Sequence, residues 1–133
     1  MSPFPTATHS TAELETLLRA HPRWTVLTGA GISTDSGIPD YRDATGAWKR
    51  TAPVQFQDFM GSAATRQRYW ARSLIGWPVF SQARPNAAHD ALAQLERSGH
   101  VHQLITQNVD GLHQQAGSRT VVDLHGQLDQ IVC

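Results

Sequence analysis

Three short apolar runs rich in β-branched residues alternate with stretches of helical periodicity, and this alternation restricts the possible folds more than any other feature. The runs are Trp24–Thr28, Val101–Thr106 and Thr120–Leu124. Strands separated by helices in this way form βαβ units, whose strands are parallel. The sequence therefore predicts an α/β fold with a parallel sheet and flanking helices, in which Trp24–Thr28 is a buried strand.

Local signals place the helices between these strands. Helical periodicity or capping signals occur after Ser10, over residues 55–75, from Asn86 to Gly99, and over Val109–Gly117. Ser10 forms a capping box with Glu13. The arginines within residues 55–75 are interpreted as a solvated face. Residues 36–53 predict a long loop of the kind that often binds ligands. Residues 1–9 predict a mobile tail, and residues 10–133 a single partial domain.

Composition limits the possible partners of this chain. Its 133 residues include 11 basic and 11 acidic side chains, and the net charge of zero gives no general attraction to nucleic acid or anionic lipid. No uncharged apolar stretch reaches about 18 residues, so no membrane-spanning helix is expected. The single Cys excludes an internal disulfide framework and favours a reducing, cytoplasmic location. The sequence leaves the oligomeric state open.

A glycine turn, Gly29–Gly31, follows the first predicted strand. A Gly-x-Gly turn after a strand allows the backbone to approach a phosphate closely. However, the third glycine of the dinucleotide fingerprint would fall at Thr34, and no acidic residue ends a second strand about 20 positions later. These residues alone leave nucleotide binding and an ordinary tight turn as equal alternatives, and they give poor support for a dehydrogenase.

Three longer motifs resemble those of the sirtuin family in their order and spacing. They are GAGISTDSGIPDYR at 29–42, TQNVDGLH at 106–113 and LHG at 124–126, and the segments RQRYWAR, GWPVF and PNAAHDAL resemble the class II branch. The resemblance covers residues 11–133. It implies a Rossmann-like NAD-binding domain that is incomplete relative to a full sirtuin catalytic domain. It also implies NAD-dependent protein-lysine deacylation (deacetylation), in which the acyl group of an acyl-lysine protein or peptide passes to ADP-ribose and nicotinamide is released.

The resemblance implies a cofactor-binding set from two segments. It comprises Gly29, Ala30, Gly31, Ile32, Ser33, Thr34, Ile38, Pro39, Asp40, Tyr41 and Arg42, together with Gln107, Asn108, Val109 and Asp110. The first segment would contact the pyrophosphate and close over the nicotinamide ribose, where an Arg suits a phosphate oxygen. The second would bind the ribose hydroxyls and the carboxamide. The alternatives are a core aromatic at Tyr41 and a polar turn in which Asp110 caps a helix, a role compatible with binding.

The resemblance also implies two catalytic residues, His125 and Asn108. His125 is predicted to be the general base that takes a proton from a ribose hydroxyl, because an imidazole titrates near neutrality. Asn108 would hold a water molecule. The other six histidines are interpreted as structural or surface residues. Asp123 shares a strand face with His125, so it either orients the imidazole or is a solvated charge, and it is left out of the site.

Cys133 coincides with the first of four zinc-binding cysteines in full-length sirtuins. A structural zinc site needs four ligands, so zinc is expected only if cysteines follow Cys133 in the complete protein. The resemblance thus implies the N-terminal half of an enzyme, and residues 1–133 alone are expected to be almost inactive. Two alternatives are protein mono-ADP-ribosyl transfer, which shares the NAD chemistry, and a non-catalytic nucleotide-binding fragment.

Overall fold

The computed structural model describes residues 10–40, 45, 47, 49 and 52–131. Its three strands are β1 (Trp24–Thr28), β2 (Val101–Thr106) and β3 (Val121–Asp123). All are parallel, in the order β1-β2-β3. Thr28 pairs with Thr106, and Thr106 with Asp123, so the strands end at one common edge. The predicted α/β class and parallel sheet are confirmed.

Helices connect and flank these strands. They are α1 (Thr11–Ala20), a 3₁₀ helix (Ala30–Ser36), α2 (Phe56–Gly61), α3 (Ala63–Gln82), α4 (Ala87–Arg97) and α5 (Leu112–Gln115). The predicted capping box at Ser10 and Glu13 is confirmed. Asn86 caps α4 as predicted, and its box is completed by His89. The predicted tail at residues 1–9 lies outside the described residues.

Residues 55–75 are almost entirely helical, as predicted, but they belong to two helices. The chain forms α2 and α3, separated at Ser62, whose backbone is extended. Ser62 Oγ accepts a hydrogen bond from the Thr65 backbone and so begins α3. Arg66 donates to the carbonyls of Phe59 and Met60 at the end of α2. These bonds satisfy backbone groups that the break would otherwise leave without partners.

The helix predicted over Val109–Gly117 is shorter, because α5 begins only at Leu112. Gly111 has a positive φ of 70°, and this left-handed conformation separates residues 108–110 from the helix. The strand predicted over Thr120–Leu124 is likewise trimmed by one residue at each end. Before it, Glu96 Oε1 accepts from the backbone N–H groups of Arg119 and Thr120, which fixes the chain as it enters the sheet.

Only one face of the sheet is well covered, so the prediction that β1 is a buried strand is wrong for alternate residues. Leu104 and Thr106 are buried on the face that α4 and α5 cover. On the opposite face, Leu27 is 64% exposed and Val122 44% exposed. A small apolar cluster elsewhere joins Ile38, Ala83 and Leu112, which link the start of the long loop, the end of α3 and α5.

Candidate active site

Side chains from two distant segments meet at the carboxyl edge of β1 and β2. Ser33 is fully buried, and its Oγ donates a hydrogen bond to Asp110 Oδ2 at 2.7 Å. Asn108 Nδ2 donates to the same Ser33 Oγ at 3.1 Å. Asp110 Oδ1 accepts from the backbone N–H of Leu112, at the start of α5. Ser33, Asn108 and Asp110 therefore form one polar cluster held by both segments.

Two buried threonines at the strand ends support this cluster from below. Thr28 Oγ1 donates to Thr106 Oγ1 at 2.9 Å. The backbone N–H of Asn108 donates to Thr106 Oγ1 at 3.1 Å, and that of Gln107 donates to the Thr28 carbonyl at 3.1 Å. These bonds fix the backbone of residues 107–108 where parallel sheets usually bind their ligands.

The glycine turn leaves space at its surface. Gly29 is extended, with φ of −144°, a conformation that other residues also adopt. An added Cβ on Gly29 would meet only the Gln107 side chain, at 3.9 Å, and one on Gly31 would meet nothing within 4 Å. Neither φ at Gly29 nor crowding from the described chain thus requires these glycines, and a ligand backbone or phosphate can approach them closely.

The rest of the predicted pyrophosphate segment forms the 3₁₀ helix, which begins at Ala30. Thr34 is exposed, and its Oγ1 donates to the Gly31 carbonyl at 2.9 Å. Asn86 Nδ2 donates to the Ile32 carbonyl at 2.8 Å and to Ser36 Oγ at 2.9 Å. The cap of α4 therefore holds the 3₁₀ helix in place.

The predicted nicotinamide-ribose loop is described only in part. The side chain of Ile38 is 3% exposed and lies in the apolar cluster, so this residue contributes to packing. Pro39 is exposed, and Asp40 Oδ1 pairs with Lys49 Nζ at 2.5 Å. Tyr41 and Arg42 lie outside the described residues.

The predicted general base lies beside the cluster, one strand further along the sheet. The backbone N–H of Leu124 donates to the Thr106 carbonyl at 2.9 Å, which brings the chain after β3 to the end of β2. His125 follows and is exposed, with no side-chain hydrogen bond to any residue that the structure describes. Its imidazole is therefore accessible to a substrate.

Asp123 is engaged elsewhere. Its carboxylate accepts hydrogen bonds from Gln114 Nε2 and from Gln127 Nε2. Asp123 therefore neither orients the His125 imidazole nor is a fully solvated charge, because it is half-buried and contacts glutamines instead of His125. Nearby, the Val109 carbonyl accepts from the Leu128 backbone at 3.0 Å, so the segment after β3 packs against residues 107–110.

Two histidines beneath the site are buried and neutral at pH 7. Burial and, to a smaller extent, the nearby His89 together lower the pKa of His113 to about 4, against the opposing charges of Asp110 and Asp123. Burial also lowers the pKa of His89, against the charges of Asp110 and Asp90. The two rings lie 4.9 Å apart. His113 Nε2 hydrogen-bonds with Thr28 Oγ1 at 2.9 Å.

Sequence reasoning missed this supporting layer. It comprises Thr28, Thr106, His89 and His113, of which the histidines were interpreted as structural. One signal was available, because each threonine is the last residue of its strand and directly precedes a predicted binding segment. The contact between α5 and β1 depends on the sheet register, which the sequence pattern does not specify.

The predicted zinc ligand Cys133 lies outside the described residues. Among the residues that the structure does describe, no group of three or more potential His, Cys, Asp or Glu ligands occurs. None of the described helices is long and apolar enough to cross a membrane.

Comparison with known proteins identifies the family. A model of the Sir2 family matches residues 29–133, which include the glycine turn, the 106–113 segment and His125. The chain belongs to the Sir2 family. The resemblance to sirtuins predicted from the three motifs is confirmed.

Curated members of the Sir2 family match over the whole chain. An NAD-dependent protein deacetylase of Xanthomonas axonopodis pv. citri is 60% identical over 133 residues, which are 100% of this chain and 45% of the relative. NAD-dependent protein deacetylase 2 of Bradyrhizobium diazoefficiens is 61% identical over 133 residues, 100% of this chain and 48% of the relative. The chain thus spans about half the length of the curated relatives that it matches.

Solved Sir2 structures share the fold. A Sir2 complex with a p53 peptide and NAD+ is 39% identical, with a TM-score of 0.76. The match covers 90% of this chain and 47% of that Sir2 chain. A Sir2 H116A complex with a deacetylated p53 peptide and 3'-O-acetyl ADP-ribose is 38% identical, also with a TM-score of 0.76. The match covers 90% of this chain and 48% of that Sir2 chain. The Rossmann-like assignment and its incompleteness relative to the Sir2 domain are both confirmed.

Proposed function

We propose that this chain carries the NAD-binding edge and the general base of an NAD-dependent protein-lysine deacetylase. The observation that carries the proposal is the hydrogen-bonded cluster of Ser33, Asn108 and Asp110. It joins the first and second sequence motifs at the carboxyl edge of a parallel sheet, where ligands of open α/β folds bind. The names of the curated relatives and the NAD+ complex of a Sir2 neighbour support the same activity.

The residues present suit NAD. The open surface at Gly29 and Gly31 admits a pyrophosphate, and the exposed side chains of Gln107 and Thr34 lie near Gly29 and Gly31, respectively. Asn108 and Asp110 offer amide and carboxylate groups, which match the hydroxyls of a ribose and the carboxamide of nicotinamide. Because Ser33 binds both side chains, it fixes their orientation before NAD arrives. Pre-ordered polar groups of this kind reduce the entropy that binding costs.

His125 and Asn108 perform the proton and water handling in this proposal. Bound NAD supplies the ribose carbon that accepts the acyl oxygen of the peptide as nicotinamide leaves. His125 then takes a proton from a neighbouring ribose hydroxyl, and its exposed position allows contact with both substrates. Asn108 keeps one amide oxygen available for a water molecule, since its Nδ2 already donates to Ser33. The acyl-lysine protein or peptide is the proposed acyl donor.

Two further properties belong to the same proposal. Cys133 contributes one of four thiolates to a structural zinc in an enzyme that carries downstream cysteines. The enzyme is cytoplasmic in this proposal, because the one Cys within residues 1–133 allows no internal disulfide framework there. Zinc content of the purified full-length enzyme and fractionation of the source cells test these two statements.

Product analysis tests the activity directly. The full-length enzyme that carries these residues is incubated with NAD and an acetyl-lysine peptide, and products are identified by mass spectrometry. We expect nicotinamide and O-acetyl-ADP-ribose in equal amounts, together with the deacetylated peptide. The matched control is the same peptide with unmodified lysine, which should release almost no nicotinamide.

Two other outcomes identify the alternatives. Protein that gains the mass of ADP-ribose, without peptide deacetylation, indicates mono-ADP-ribosyl transfer. Retained NAD binding without turnover indicates a non-catalytic nucleotide-binding protein. Either result would overturn the proposed deacetylation while leaving the binding site intact.

A further inference from the structure

The buried histidines beneath the site have hydrogen-bonding capacity that the described contacts leave unused. His89 Nε2 and His113 Nδ1 are both buried and have no partner among the described residues. Unpaired polar atoms of this kind are uncommon in protein interiors and call for an explanation. The two rings lie 4.9 Å apart at an interplanar angle of 58°. The tautomers of both rings follow from their other contacts.

The tautomer of His89 is set by the cap of α4. The backbone N–H of Asn86 can only donate, and it donates to His89 Nδ1 at 3.3 Å. His89 Nδ1 therefore carries no proton. In a neutral imidazole the proton then lies on Nε2, so the unpaired atom of His89 is a donor.

The tautomer of His113 is set by the threonines. Thr28 Oγ1 donates its single proton to Thr106 Oγ1, so it accepts from His113 Nε2. The proton of His113 lies on Nε2, and its unpaired Nδ1 is an acceptor. Two rings whose centroids lie 4.9 Å apart thus carry one unpaired donor and one unpaired acceptor. The opposite assignment of His113 would make both unpaired atoms buried donors that could not pair with each other, at an energetic cost.

We propose that His89 and His113 form a neutral pair, with His89 Nε2–H donating to His113 Nδ1, that positions the two halves of the NAD site. This bond would join the two buried atoms that the described contacts leave without partners. It completes a buried relay from Asn86 through both histidines and Thr28 to Thr106 Oγ1. Only one part of this proposal, that NAD binding depends on the relay, rests on the proposed function.

Each end of the relay holds one binding segment. At the α4 end, Asn86 Nδ2 holds the 3₁₀ helix through the Ile32 carbonyl and Ser36 Oγ. At the other end, Thr106 Oγ1 accepts from the backbone N–H of Asn108. His89 and His113 are therefore positioning residues, which act on the ligand through the 3₁₀ helix on one side and Asn108 on the other.

The first test reads the tautomers without requiring activity. Long-range ¹H–¹⁵N spectra of the full-length enzyme labelled with ¹⁵N-histidine are recorded at pH 7, with assignments from His89→Asn and His113→Gln. We expect both rings to be neutral and protonated at Nε2. A positively charged ring, or a proton on Nδ1 of either ring, would overturn the pair.

The second test separates hydrogen bonding from packing. His113→Gln keeps a donor near the position of Nε2, whereas His113→Leu keeps only apolar volume. We expect His113→Leu to raise the Kd for ADP-ribose about 10-fold or more, the effect of leaving a buried polar group unpaired. His113→Gln should recover only the part of that loss that comes from the bond to Thr28, because it lacks the Nδ1 acceptor that the pair with His89 requires. His21→Leu, at an exposed histidine outside the relay, is the matched control.

A variant at the other partner covers the case in which His113→Leu does not fold. Thr28→Val removes the hydroxyl and keeps a β-branched side chain suited to a strand. We expect it to weaken ADP-ribose binding to a similar extent. The double variant, His113→Leu with Thr28→Val, should bind ADP-ribose no more weakly than either single variant. A folded His113→Leu or Thr28→Val enzyme with wild-type affinity would show that the pair only packs. Absence of ADP-ribose binding in the wild type would instead count against the proposed function, and the tautomer test would still decide the pair.

Discussion

Ser33 and His125 lie at the same edge of the sheet but in opposite environments. Ser33 is fully buried and bonded to two neighbouring side chains, whereas His125 is exposed. A buried group with fixed partners is suited to orient a ligand, and an accessible imidazole is suited to exchange protons with it. Substitutions at the two positions should therefore affect different steps of the reaction.

Replacing His125 tests the chemical step. In the full-length enzyme we expect His125→Ala or His125→Tyr to lower the deacetylation rate about 100- to 10,000-fold, the usual effect of losing a positioned general base. NAD binding should largely survive, because the side chain makes no hydrogen bond to any residue in the described part of the chain. Rates come from nicotinamide release and affinities from calorimetry. A variant that retains more than half of the wild-type rate would remove His125 from the mechanism.

At the scale of elements, one side chain links the capping of α4 to the site. Asn86 Oδ1 accepts from the Ala88 backbone, while its Nδ2 holds the 3₁₀ helix through the Ile32 carbonyl. The Ser10 side chain, which caps α1, is exposed, and within the described part of the chain its Oγ accepts a hydrogen bond only from the Glu13 backbone. The two caps thus share their chemistry and differ in what else they hold.

This difference gives a matched pair of variants. Asn86→Ala should lower the free energy of unfolding by about 1 to 2 kcal/mol from the lost cap, and it should also weaken ADP-ribose binding. Ser10→Ala removes a cap of the same class, and ADP-ribose binding should not change. Urea unfolding and calorimetry of both variants provide the measurements. Equal ADP-ribose affinities in the two variants would refute the link between α4 and the site.

Much of the element pattern was predictable from sequence, because local signals determine it. The bounds of β1 and the start of α4 follow from a β-branched run and an Asn cap, which need no tertiary information. The break at Ser62 was missed because the apolar periodicity continues across it. The exposed face of β1 was also missed, since its burial depends on which elements cover the sheet.

The candidate site was likewise predictable only in part from the sequence. The motifs predicted which segments converge, because parallel strands end at one edge of a sheet. They did not predict that Ile38 packs in the apolar cluster or that His113 reaches Thr28. Both contacts depend on how α5 lies against its neighbours. Their positions follow from three-dimensional packing that no single-segment pattern encodes.

At the scale of the whole molecule, the buried histidine makes stability depend on pH. The pKa of His113 falls from an ordinary 6.5 to about 4 in the folded chain. Between these values the unfolded chain binds a proton that the folded chain does not, so stability falls as the pH falls from about 6.5 to about 4 and this contribution is constant below that. At about 1.4 kcal/mol per pKa unit, the loss is on the order of 3 kcal/mol.

His113→Gln isolates this contribution. The variant retains the carboxylates and His89, whose pKa is also lowered, so the two proteins share every other source of acid sensitivity. We expect the variant to lose less stability than the wild type between pH 7 and pH 4, by urea unfolding at each pH. Identical pH profiles would show that His113 is not protonated on unfolding in this range.

The exposed apolar surface predicts the behaviour of the 133-residue polypeptide in isolation. Leu27, Val122 and Leu124 are exposed along the sheet, and Ile75 is 82% exposed on α3. Contiguous exposed apolar surface favours association. We expect marginal stability, concentration-dependent self-association and little or no deacetylation. Urea unfolding measures the stability, light scattering the self-association, and nicotinamide release with and without acetyl-lysine peptide the deacetylation. A monodisperse polypeptide with robust peptide-dependent turnover would contradict this expectation.

Hydrogen exchange is the most direct test of the claim that residues 29–40 and 106–111 form the NAD-binding edge. Exchange in the full-length enzyme is followed by mass spectrometry with and without saturating ADP-ribose, which binds without reacting. Ligands protect the backbone they order, so we predict slower exchange in residues 29–40 and 106–111, with α1 unchanged as the internal control. Protection absent from both segments, or found only elsewhere in the enzyme, would contradict the assignment of the site.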